Sequence, residues 1–155
     1  MKNAIKKGFS FGLTSGIITT LGLIIGLTFS TENKTVVIAG ILTIAIADSL
    51  SDALGIHISE EAENKRSHKQ VWQATFATLA TKFVFALTFA VPIIFVSLKT
   101  ALIINIFWGL AWLWLFSFYM AKKNKKSPTA VVAEHLLIAV FVIVVTYFVG
   151  IFLKV

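Results

Sequence analysis

A chain of 155 residues with 57% hydrophobic and 14% charged side chains and a mean hydropathy of +0.89 carries more apolar surface than a soluble domain of its size can bury. It has no cysteine, which excludes disulfides, thiolate metal sites and thiol catalysis. The net charge of +7 does not point to nucleic acid. The basic residues stand in short clusters between apolar stretches, the pattern of a membrane protein with positive cytoplasmic loops.

Five segments are long enough to cross a hydrocarbon core, which takes about 20 helical residues. They are 8–29, 35–58, 71–96, 100–120 and 128–153, and together they predict one all-α transmembrane domain over 1–155. The first is uncharged from Gly8 to Thr31. That exceeds the apolar region of a signal peptide, about 7–15 residues, and the segment is expected to remain as a membrane helix. The second contains Asp48 and Asp52. The third is interrupted by Lys82 and should kink or end near Pro92. The fourth, between Lys99 and Lys122, has no charge inside. The fifth opens at Ser127-Pro128, a helix-start signal, with Glu134 near its beginning. Barrel strands are excluded, because the runs are too long and too continuously apolar. The polar stretch 59–70, SEEAENKRSHKQ, reads as extensions of helices two and three around a tight turn.

Lys2, Lys6, Lys7, Lys65, Arg66, Lys69, Lys122, Lys123, Lys125 and Lys126 fall on one side of this plan. Only Lys34, Lys99 and Lys154 fall on the other. Ten against three places the N-terminus in the cytoplasm and the C-terminus outside, in a multi-pass protein of the cell membrane in contact with lipid. Trp72 and Tyr119 then lie near the cytoplasmic boundary. Trp108, Trp112 and Trp114 lie deeper and read as packing or lipid contacts.

A charged side chain inside a bilayer costs several kcal/mol and needs a reason. Asp48 and Asp52 stand four residues apart, so both project from one face of helix two, about 6 Å apart along its axis. Two carboxylates that close in low dielectric repel, and either a proton or a cation relieves the repulsion. The pair is suited to a hard divalent metal, to proton exchange, or to both in turn. The alternative is a structural ion pair with Lys82, which reaches a comparable depth in helix three. Lys82 reads as an ion-pair partner, as a cation surrogate in an empty site, or as a snorkelling side chain.

Helix one is rich in small residues. Gly12 and Gly16, and again Gly22 and Gly26, are spaced four apart, as at a close dimer or bundle seam. Thr14 and Ser15 lie near the depth of Asp52 and offer neutral oxygen atoms. Glu60, Glu61 and Glu63, with His57 and His68 nearby, form an acidic cluster past the cytoplasmic end of helix two. They either collect cations at a pore mouth or are a solvated helix end balanced by Lys65, Arg66 and Lys69. Glu134 suits a helix N-terminus on structural grounds, and His135 is placed to relay protons. No phosphate-binding loop, nucleophile elbow or zinc-protease motif occurs, so no enzyme is expected.

The run Phe11-Gly12-Leu13-Thr14-Ser15-Gly16-Ile17-Ile18-Thr19-Thr20-Leu21-Gly22 resembles the first helix of the vacuolar iron transporter family, which reads F-G-x-x-D-G-L-x-[ST]-x-L-G. Leu50-Ser51-Asp52-Ala53-Leu54-Gly55 with Ser59 resembles that family's L-S-M-A-x-G-E-x-x-S stretch. Ser127-Pro128, Val145-Thr146-Tyr147 and Gly150 resemble its last helix. The likeness touches most of the chain through short, glycine-rich motifs. It implies a five-helix homodimer that moves ferrous iron or manganese out of the cytosol against protons.

The family's intramembrane ligands include an Asp in helix one and a Met in helix two. Ser15 and Asp52 stand at those positions, Asp48 stands where the family has a small residue, and Ile56 replaces a Glu. Gain of Asp and loss of Met favour a harder cation than ferrous iron, such as manganese, calcium or magnesium. The expectation is therefore a secondary transporter exporting a divalent cation, manganese or iron first, in exchange for protons. The metal is substrate, and no resident cofactor is implied. Asp48, Asp52, Ser15 and Thr14 would bind it, Glu60, Glu61 and Glu63 would gather it, and Lys82, with Glu134 and His135, would couple its movement to protons. The rival expectation is a membrane scaffold or regulator in which Asp48, Asp52 and Lys82 form a closed ion-pair network.

Overall fold

In hydrocarbon no water is available to backbone N–H and C=O groups, so an apolar chain satisfies them within helices. The computed structural model, which describes residues 2–154 and of Lys2 only the backbone, is built in that way. Met1 and Val155, the ends of the expected domain, lie outside the described residues. The helices are α1 (Lys2–Thr31), α2 (Lys34–Glu63), α3 (His68–Thr88), α4 (Ala90–Phe95), α5 (Leu98–Lys123) and α6 (Pro128–Phe152). Five helical stretches are long and apolar enough to cross a membrane, α3 and α4 together making one of them.

The expected third span is broken earlier than its proline suggests. α3 stops at Thr88, and Phe89 donates its N–H to Ala86 O before α4 resumes. Pro92 has no N–H to give the carbonyl four residues back, and its ring clashes with that carbonyl. The carbonyl belongs to Thr88, so the break falls there. Lys34 Nζ donates to Ile94 O and Val96 O (2.9 and 3.2 Å) at the end of α4, where helix carbonyls lack partners.

The other connections are short and capped. Asn33 Oδ1 accepts from Thr35 N at 2.9 Å, Ser97 caps α5 through Thr100 N, and Ser127 caps α6 with Pro128 behind it. Glu32, Asn64 and Lys125 adopt positive φ just past three helix ends, the left-handed conformation that closes a helix. α2 runs five residues past 58 and α3 begins at His68, so the polar stretch 59–70 is two helical extensions around the turn 64–67.

Contacts group the chain into two units, Met1–Thr20 with Ala39–Val91, and Leu21–Ile38 with Pro92–Val155. In the first unit, Gly8, Gly12 and Gly16 form a row on α1 facing α3. A Cβ on Gly8 would lie 2.1 Å from Ala74 O, one on Gly12 2.6 Å from Thr78 O, and one on Gly16 3.2 Å from Lys82 Cγ. Ala4, Leu13 and Ile17 of α1 are buried here, as are Ala45, Ala53 and Ile56 of α2 and Val71, Ala74 and Ala86 of α3. In the second unit, α5 buries a row four residues apart, Ala101, Asn105, Gly109, Leu113, Ser117 and Ala121, and packs on α6. A Cβ on Gly150 of α6 would lie 2.6 Å from Gly26 O, and one on Gly22 would lie 3.1 Å from Val142. The small residues of α1 are thus a bundle seam within the chain. Outward-facing Leu137, Phe141, Phe148 and Phe152 of α6 are exposed, as a lipid-facing helix requires.

Lys154 Nζ stands 2.7 Å from Glu32 Oε1 in the second unit, both groups being exposed. The hydrogen bond and charge of Lys154 hold the Glu32 carboxyl below its ordinary range. A depressed carboxylate stabilises the fold above its unfolded value, and that contribution is lost as pH falls through the folded one. Lys154→Ala should therefore lower the melting temperature slightly at neutral pH and flatten the acid limb, the difference from wild type vanishing once the pH has fallen below the folded value. A pH series of thermal melts on both proteins checks this.

Candidate functional site

The site starts from a steric vacancy. Because Gly16 has no side chain, the stem of Lys82 can cross α1, its Cγ lying 3.2 Å from where a Cβ would stand. Its ammonium is thereby delivered to α2. Lys82 Nζ lies 2.5 Å from Asp48 Oδ2 and 2.5 Å from Asp52 Oδ2, and donates to Ser15 Oγ at 2.9 Å. Ser15 in turn donates to Asp52 Oδ2 at 2.6 Å. The ammonium donates hydrogen bonds to two of these oxygen atoms, Ser15 Oγ and Asp52 Oδ2, whereas Asp48 Oδ2 meets it as an ion pair and accepts no hydrogen bond among the described residues. The lysine side chain is 1% exposed, whereas Asp48 is 30% and Asp52 20% exposed.

With all three groups ionised, two carboxylates against one ammonium leave a formal charge of −1. The open side of the pair runs along α2, where Ala39, Thr43, Ala47, Ser51, Gly55 and Ser59, each four residues apart, are all exposed. Ser49 on α2 and Thr20 on α1 are fully buried, and their hydroxyls have no hydrogen-bond partner among the described residues. An unpaired buried hydroxyl costs about 1–3 kcal/mol, so each marks a place suited to water. Thr14 does not join the cluster through any described hydrogen bond; its hydroxyl donates to Ser10 O at 2.9 Å.

The acidic cluster, which falls within the last turn of α2 rather than past its end, is paired with cations. Glu60 has a 0% exposed side chain and meets Lys7 Nζ at 2.5 Å; Arg66 Nε approaches its other oxygen. Lys7 also reaches Glu63 at 3.3 Å. His57 Nε2 lies 3.4 Å from Glu61, and its Nδ1 shares a hydrogen bond with Thr75 Oγ1 at 2.9 Å. Of the three glutamates expected to gather cations, Glu60 is thus sequestered and the other two are partnered. In the second unit Glu134 is exposed, and His135 Nδ1 shares a hydrogen bond with Ser117 Oγ at 2.8 Å.

No group of three or more His, Asp or Glu side chains suited to a metal exists among the described residues. Asp48, Asp52 and Ser15 provide oxygen from three side chains, fewer than the six ligands a hard divalent cation takes. Water or a second copy of the chain would have to supply the rest. No family model and no curated protein matches the sequence, so the likeness to the vacuolar iron transporters rests on the motifs alone. Sequence reasoning identified Asp48, Asp52, Ser15 and Lys82. Arg66 was among the cations expected to balance the glutamates, but sequence reasoning missed Lys7, which reaches Glu60 from the start of α1, and the small-residue stripe of α2, which the spacing of Ala47, Ser51 and Gly55 does signal.

Proposed function

We propose that the chain is a secondary transporter that moves a cation across the membrane in exchange for protons at the Asp48–Asp52–Lys82 cluster. The observation that carries this reading is the position of Lys82 Nζ, equidistant from both carboxylates. That is where a bound cation would sit, so the lysine acts as the exchangeable occupant of the empty site. Arrival of substrate would displace the ammonium, and its return would expel the substrate. Partial exposure of both carboxylates beside a wholly buried lysine supports access from the α2 side. The cargo is a divalent cation exported from the cytoplasm, manganese or iron, by analogy with the family that the motifs resemble. A second copy, packed along the small-residue stripe of α2, would complete the coordination in a homodimer.

A second reading draws on the same cluster. The ammonium finds two hydrogen-bond acceptors and a second carboxylate within one chain, as it would in a closed network that only fixes helix packing. Flux into proteoliposomes separates the two. Wild-type protein should take up manganese or iron into vesicles with an acidic lumen as protons leave, and Asp48→Asn and Asp52→Asn should each reduce uptake to the rate of protein-free vesicles. Variants that transport as wild type would leave only the packing role.

A further inference from the structure

At the end of the first unit that holds the start of α1 and of α3, a groove of about 630 Å³ opens between these helices, lined by Ile5, Lys69, Trp72, Gln73, Phe76 and Ala77. The α3 positions are i, i+3, i+4, i+7 and i+8, one continuous face of the helix. Their chemistry changes with depth. Lys69 lies in the first turn, Trp72 and Gln73 follow one turn on, and Phe76 and Ala77 lie about 10–12 Å below Lys69 at 1.5 Å per residue. Charge, then amide and indole, then hydrocarbon is the order of groups met on passing through one leaflet of a phospholipid bilayer.

Three observations point to an occupant. Lys69 is exposed and has no carboxylate partner among the described residues, whereas Lys7 and Arg66 are both held on Glu60. Gln73 Oε1 is buried and accepts no hydrogen bond among the described residues; an orphan acceptor at this depth calls for a donor, which the bound water of a glycerol-ester region supplies. Trp72 is held in place, its Nε1 donating to His68 Nε2 at 3.0 Å and its ring stacked on Phe76 at 5.3 Å. It therefore forms a fixed wall.

We propose that this groove binds one anionic phospholipid, with phosphate on Lys69, the glycerol-ester region at Gln73 and an acyl chain along Trp72, Phe76, Ala77 and Ile5. A zwitterionic lipid offers the same tails, but its own ammonium competes with Lys69 for the phosphate, so the net negative headgroup is favoured. The site does not depend on any transport activity.

Trp72 reports directly on the groove. The full-length protein is reconstituted in phosphatidylcholine vesicles containing a minor fraction of chain-brominated phosphatidylglycerol or chain-brominated phosphatidylcholine. The Trp72 signal is taken as wild type minus Trp72→Phe. Brominated phosphatidylglycerol should quench it at about fivefold lower mole fraction, the enrichment that one lysine near a membrane surface provides. Lys69→Glu, and separately Lys69→Gln, should bring the two lipids to parity while quenching by brominated phosphatidylcholine persists. Equal quenching in wild type, or a preference retained in both Lys69 variants, overturns the proposal. Loss of the preference in excess inorganic phosphate overturns it too, since the groove would then hold a free anion.

Discussion

Replacing Lys82 by methionine should destabilise the protein by about 3–5 kcal/mol, the cost of removing one partner from a buried ion pair. Methionine keeps most of the stem that lies against Gly16, so the loss comes from the charge. Without the ammonium, Asp48 and Asp52 face each other with only the Ser15 hydroxyl donating to one of them. The triple variant Lys82→Met, Asp48→Asn, Asp52→Asn should recover most of the loss, because a neutral cluster of similar volume leaves no uncompensated charge. Thermal unfolding in detergent reads both effects. A methionine variant as stable as wild type would mean that the carboxylates do not need the lysine, and the cluster would lose its meaning.

The same substitution separates the two functional readings. Where the paired carboxylates form a cation site, vacating it should let manganese stabilise the Lys82→Met protein by mass action, by about 2.7 kcal/mol at a hundredfold excess over the dissociation constant. Wild-type protein, whose ammonium competes with the metal, should respond less at the same concentration. In a closed packing network neither protein responds, because nothing binds the folded state in preference to the unfolded one.

These residues were legible in the sequence for a plain reason. Charge is so costly in hydrocarbon that two Asp in one apolar run and a Lys in the next are drawn together, and counting in from the polar stretch 59–70 places Asp48 level with Lys82. The spans were equally legible, since uncharged length decides them. The fate of Glu60 was not. With its neighbours Glu61, Glu63, Lys65 and Arg66 it reads either as a cation-gathering mouth or as a solvated helix end, and nothing local says that Lys7, from the start of α1, reaches Glu60. The glycine spacing of α1 announced a close seam without naming the helix that fills it. Only the backbone path shows α3 against Gly8, Gly12 and Gly16. The break at Phe89 belongs to the same class: Pro92 was visible, but its effect is exerted on the carbonyl four residues earlier.

That seam yields a graded expectation. Gly8→Val should cost about 1–3 kcal/mol or somewhat more, the penalty for forcing atoms into a filled space, because its Cβ would meet the Ala74 carbonyl at 2.1 Å. A backbone oxygen cannot rotate aside as a side chain can, so α1 and α3 must separate, stretching the hydrogen bond from Thr78 Oγ1 to Gly8 O. Gly12→Ala meets Thr78 O at 2.6 Å and should be milder than Gly8→Val but still damaging. At Gly16 the neighbour is the flexible Lys82 stem at 3.2 Å; alanine there should displace the ammonium from the carboxylates and act on the cluster more than on the fold. Gly55→Ala meets nothing within 4 Å and should be neutral or stabilising by a few tenths of a kcal/mol to about 1, through reduced backbone freedom in the unfolded chain. Melting temperatures that fall in the order Gly55, Gly12, Gly8 would place the seam between α1 and α3 of one chain. If Gly8→Val melted as wild type and only shifted the oligomeric state in size-exclusion chromatography, the row would instead be a contact between copies.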